Sequence, residues 1–128
     1  MTASHKPAGY SSVSPYLIVS GAERSIEFLK RVLDAVELRR FPDAAGKIVH
    51  AEIRIDDTVV MLADANENFP PVSSHVHIYV KDVDDIYRRA LAAGAFSVQE
   101  PVKKDDADKR GGVMDDGGTT WWIATKVD

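Results

Sequence analysis

One element order occurs twice in this chain, and that repeat limits the fold more than any other feature. A short apolar run, Tyr16-Leu17-Ile18-Val19, is followed by a helical pattern with Ala22, Ile26, Leu29, Val32 and Leu33 on one face. Ser20 and Glu23 stand at capping-box spacing before it, and Asp34-Ala35 closes it. Three strand patterns follow. Val36 to Phe41 alternates with period two. Lys47 to Ile55 places Val49, Ala51, Ile53 and Ile55 on one face. Thr58 to Ala63 follows the Asp56-Asp57 turn. The order then restarts: His75 to Val80, a helix capped by Asp82 on Val83, Ile86, Tyr87, Ala90 and Leu91, Gly94, Ala95 to Glu100, a charged loop from Pro101 to Asp108, Lys109 to Met114, and Thr119 to Thr125. Val19 and Val80, Ala22 and Val83, and Leu29 and Ala90 are each 61 positions apart.

This order predicts an α+β fold of two βαβββ modules in tandem, forming one compact domain. Residues 1–12 read as a flexible tail, 13–65 as the first module, 66–74 as a linker and 75–128 as the second module. The alternative is a ferredoxin-like sandwich, since identity between the halves is slight. At 128 residues the chain can bury a core without disulfides, and it has no cysteine. That excludes thiol catalysis and thiolate metal sites, and it fits a reducing cytoplasm. A net charge of −4 argues against nucleic acid as a partner. No apolar run approaches a membrane span, and residues 1–12 carry no signal-peptide core. No P-loop, GxGxxG or nucleophile-elbow motif occurs.

Strand alternation predicts which side chains stand opposite the helix-packing faces. From the first module these include Tyr16, His50, Glu52, Arg54 and Met61, and from the second His75, His77, Tyr79 and Trp122. These nine are the candidate ligand-binding residues: aromatic and apolar area with a few polar groups, the usual makeup of a small-molecule site. His75 and His77, two apart on one strand, read either as metal ligands or a base with its partner, or as two hydrogen-bonded pocket histidines. Glu52 and Arg54 read as a same-face ion pair, or Glu52 as a general base. His75, His77 and Glu52 are thus the catalytic candidates if there is catalysis at all. Trp122 and Tyr79 can stack on a planar ligand, and Trp121 points to the opposite face, as core. The charged run Lys103 to Arg110 reads as a solvated loop or a lid.

The chain resembles the vicinal oxygen chelate superfamily of glyoxalase I, bleomycin-resistance proteins and extradiol dioxygenases, and looks most like its PhnB-like branch. The likeness rests on Pro15 to Val19 before Ala22 to Leu33, on His50-Ala51-Glu52-Ile53, Val59 to Ala63, Val80 to Asp84, Ala92 to Ala95, and Asp115 to Thr125. The resemblance implies sheets that curl around a shared cavity, often completed in a homodimer. Metal-using members draw four ligands from the first and fourth strands of each module. Carried over by spacing, those positions are Ser14, Met61, His75 and Trp122, of which only His75 is a usual ligand type. The expectation is therefore a metal-independent protein without a cofactor, holding a planar or aromatic small molecule. The alternative is a lyase, isomerase or dioxygenase-type enzyme, using a divalent metal on an altered set around His75, His77 and Glu52, or His/Glu acid–base chemistry.

Overall fold

The structure is a computed structural model and describes residues 5–128. The first module runs β1 (Tyr16–Val19), α1 (Ala22–Leu33), β2 (Val36–Pro42), β3 (Ile48–Ile55) and β4 (Thr58–Asp64). The second runs β5 (Ser74–Tyr79), α2 (Val83–Ala92), β6 (Phe96–Lys103), β7 (Asp108–Met114) and β8 (Thr119–Lys126). Each module forms a four-stranded sheet, ordered β1-β4-β3-β2 and β5-β8-β7-β6. The first and last strands of each pair in parallel, and the other neighbours are antiparallel. The tandem βαβββ reading stands. No helix among the described residues is long and apolar enough to cross a membrane.

The register carries the repeat down to single residues. One row across the first sheet is Tyr16, Met61, Glu52 and Arg39. The row in the same place in the second is His77, Trp122, Gly112 and Gln99. Tyr16 and His77, and Met61 and Trp122, keep the spacing of 61.

One core joins the modules. Ala22, Ile26, Leu29 and Val32 of α1 are buried with Ala51, Ile53 and Ile55 of β3, and continue into Val83, Ala90, Val113, Trp121 and Ile123. Trp121 is core, as its strand position predicts. Its indole N–H donates to buried Asp115, which also accepts from the backbone N–H groups of Gly117 and Thr119. This carboxylate fixes the β7–β8 turn. Gly117 in that turn lies against α1 and β1. A β-carbon there would stand 2.7 Å from Ser25 Oγ and 3.0 Å from Val19 Cβ. Arg89 of α2 reaches back to the Arg31 carbonyl and to Asp34.

Four local expectations change. Val49 is 58% exposed and Ile48 takes its place in the core, because a bulge at Phe41/Pro42 shifts the alternation of β3. Ser20 does not cap α1. Gly21 holds the cap position with φ 82°, and Asp64 supplies the acceptor for the Ala22 N–H from across the module. Leu91 of α2 is exposed rather than core. The loop predicted from Pro101 to Asp108 is shorter. Pro101 to Lys103 extend β6, and Asp108 to Arg110 begin β7, so half of the supposed lid is sheet.

Candidate functional site

Each sheet presents one polar face away from its helix, and each face holds its own bonded network. In the first module His50 bridges two neighbours. Its Nδ1 lies 2.8 Å from the Tyr16 hydroxyl, and its Nε2 lies 2.8 Å from Glu52 Oε2. Glu52 is 5% exposed, and its Oε1 accepts from the Tyr10 hydroxyl at 2.5 Å and from Arg39 Nε at 3.0 Å. The Arg39 guanidinium also sits over the Tyr10 ring, 5.5 Å from its centre. Burial alone would raise the Glu52 pKa. Hydrogen bonds from Tyr10 and His50, with the charge of Arg39, outweigh that and hold it below the usual carboxylate value. Glu52 therefore stands as a carboxylate with its oxygens occupied. Its ion partner is Arg39 from the neighbouring strand, not Arg54: the register sets Arg39 directly opposite Glu52.

In the second module Trp122 lies across β7. A β-carbon on Gly112 would stand 2.7 Å from Trp122 Cζ3, so only glycine there leaves room for the ring. The indole N–H donates to His75 Nδ1 at 3.0 Å, and the two ring planes are 11° apart with centres 6.2 Å apart. Beside them Arg110 donates from Nε to His77 Nε2 at 3.1 Å and from Nη2 to Asp108 at 2.9 Å. Asp108 also accepts from the Tyr79 hydroxyl at 2.7 Å. Partial burial first, then the charge of Arg110, hold His77 below the ordinary imidazole pKa. A neutral ring is what an acceptor at Nε2 requires. Tyr79, 60% exposed, packs edge-on against His77.

The structure thus brings Tyr16, His50 and Glu52 together, and separately His75 with Trp122 and His77 with Tyr79. It does not bring Glu52 to His75 and His77, and no group of three or more His, Asp or Glu side chains suited to a metal ion occurs among the described residues. The altered metal set weighed from sequence is therefore not assembled. At the four ligand positions, Trp122 offers a donor N–H where a metal needs a lone pair, and that N–H already occupies one nitrogen of His75. Ser14 Oγ is buried without a hydrogen-bond partner, and Met61 offers a thioether, so the set does not fit a divalent cation. Open space is divided as well. Tyr16 lines a cavity of about 360 Å³ with Ile18, Val49, Ala63 and Phe69, whereas His77 and Tyr79 line another of about 310 Å³.

Several members of these networks escaped the sequence reading. Tyr10, assigned to the tail, bonds to Glu52, and Ser11 beside it accepts the Val59 N–H. Arg39 sits just after a bulge at Glu37/Arg39, which hides its facing. Asp108 and Arg110 fell in the charged run. Gly112 could have been found, because a glycine inside a strand pattern signals close approach of another group.

The profile of the Glyoxalase/Bleomycin resistance protein/Dioxygenase superfamily matches residues 11–123. The chain belongs to this superfamily. A protein of Mycobacterium bovis described as uncharacterized is 35% identical over 127 residues, covering 91% of this chain and 84% of that one. Among solved structures, TioX from Micromonospora sp. ML1 superposes with a TM-score of 0.77 at 28% identity, covering 91% of this chain and 99% of TioX. TnmS3, described as an antibiotic-binding protein from Streptomyces sp. CB03234, superposes with a TM-score of 0.69 at 19% identity, over 91% of this chain and 99% of its own. The latter likeness is one of fold.

Proposed function

We propose that this chain is a small-molecule-binding protein that holds a planar aromatic ligand and needs no metal to do so. One observation carries the reading: Trp122 packs against Gly112 with its ring plane within 11° of that of His75, at a position where metal-using relatives would place a ligand. A ring system held in that way offers a stacking surface. The antibiotic-binding description of TnmS3 agrees with such a role. Within the superfamily, the PhnB-like branch remains our placement.

The working form in this reading is a homodimer in the cytoplasm, with no membrane or nucleic-acid partner. Among the described residues, no hydrogen bond, ion pair or ring contact links Tyr16, His50 and Glu52 to His75, His77 and Trp122. A second copy that sets one module's face opposite the other's would close the site. A second reading, an acid–base enzyme, is favoured by the bonded chain Tyr16–His50–Glu52. The deciding experiment is a thermal-shift screen of flat aromatic compounds against chelator-treated protein, repeated with Trp122→Ala. Ligands that raise Tm in the native protein and lose that effect in the variant support binding at this face. A panel without such ligands, or one whose shifts survive Trp122→Ala, contradicts it.

A further inference from the structure

Tyr16 belongs to both the His50–Glu52 chain and the wall of the 360 Å³ cavity. The direction of every proton along the chain is set from its Glu52 end. Glu52 is a carboxylate and can only accept. The bond from His50 Nε2 to Glu52 is therefore an N–H donation, and a neutral His50 is left with its lone pair on Nδ1. The Tyr16 hydroxyl has one proton, and Nδ1 takes it. What Tyr16 has left to offer a ligand is the phenol oxygen as an acceptor.

The rest of the wall is mainly apolar, with Ile18, Val49, Ala63 and Phe69, but it also carries Lys47 and Asn66, whose ammonium and amide can donate. Asp64 accepts the Ala22 and Ile48 backbone N–H groups, one on each oxygen, and Asp43 accepts those of Ala45 and Lys47 on a single oxygen, so the part played by Tyr16 is isolated by substituting Tyr16 itself. We propose that this cavity takes a planar aromatic molecule carrying a hydroxyl or N–H donor, which hydrogen-bonds to the Tyr16 oxygen. An analogue with only an acceptor there, such as an aryl ether, meets an oxygen without a proton to give, and one polar group stays unpaired. The inference rests on the binding reading above and adds the chemistry of the ligand.

The test is calorimetric titration at pH 8, above the ordinary imidazole range, with 2-naphthol and 2-methoxynaphthalene. The expected result is tighter binding of the naphthol by about five- to tenfold, the size of one net hydrogen bond. Tyr16→Phe should abolish the preference, bringing the two affinities together. His50→Ala frees the Tyr16 proton and should narrow or reverse the preference, which provides a second reading if Tyr16→Phe folds poorly. Equal binding of both compounds, or a preference that survives both variants, overturns the donor assignment and leaves aromatic binding standing. Binding of neither compound overturns both.

Discussion

Trp122 rests on Gly112 across two hydrogen-bonded strands, with its outer ring edge where a β-carbon on residue 112 would be, 2.7 Å away. In the first module the corresponding pair is Met61 opposite Glu52. One module thus spends this position on a buried carboxylate and the other on space for an indole. The two faces have diverged into a hydrogen-bonding face and a stacking face on the same scaffold.

Gly112→Ala should leave the fold intact but lift Trp122 away from His75. The ring is partly exposed and can move, so the cost in stability is small, about 1 kcal/mol or less. Trp121 stays buried, so a change in tryptophan emission reports Trp122 alone. Affinity for a stacked ligand should fall in parallel.

Glu52→Ala should cost about 1–3 kcal/mol, because it strands the Tyr10, Arg39 and His50 donors around a buried site. The native carboxylate also shapes the acid limb of stability. Its folded pKa lies below its ordinary value, so the unfolded chain takes up its proton first as pH drops. Its contribution is complete above the ordinary carboxylate range and disappears as pH falls through the lowered pKa. Urea unfolding at a series of pH values should show a shallower acid loss in Glu52→Gln than in the native protein.

Asp115→Ala should be among the most damaging substitutions. It removes the acceptor for two backbone N–H groups and the Trp121 indole inside the core. A loss of about 2–4 kcal/mol is expected from several unmet buried donors, read as a fall in the urea midpoint. The modules should loosen together, since Gly117 in the same turn packs on α1 and β1.

His77 should titrate below the ordinary imidazole value in an NMR pH series, given its burial and the neighbouring Arg110. Arg110→Gln should raise that midpoint by removing the positive charge. For stability the sign follows from the same shift. A depressed histidine takes up its proton more readily when unfolded, so its effect is a loss of stability as pH falls through the imidazole range.

The fold was legible in the sequence because core spacing repeats. Val19, Ala22, Leu29, Val83 and Ala90 are buried, and Val80, the partner of Val19 in the repeat, packs partly covered against the same core. The candidate site was half legible. Period two correctly put His50 with Glu52, and His75 with His77, on common faces. It could not say that Arg39 rather than Arg54 would meet Glu52, because that depends on which residues face each other across strands. Bulges at Glu37/Arg39 and Phe41/Pro42 moved facings that alternation alone had set. Tyr10 lay beyond any periodic signal, since its role comes from a long-range bond to Glu52, 42 positions away.

Calorimetric titration of chelator-dialysed protein with 2-naphthol tests the central claim most directly. The account predicts saturable binding without metal, unchanged when zinc or manganese is added back. Binding that appears only after metal is restored, and that His75→Ala abolishes, would contradict it.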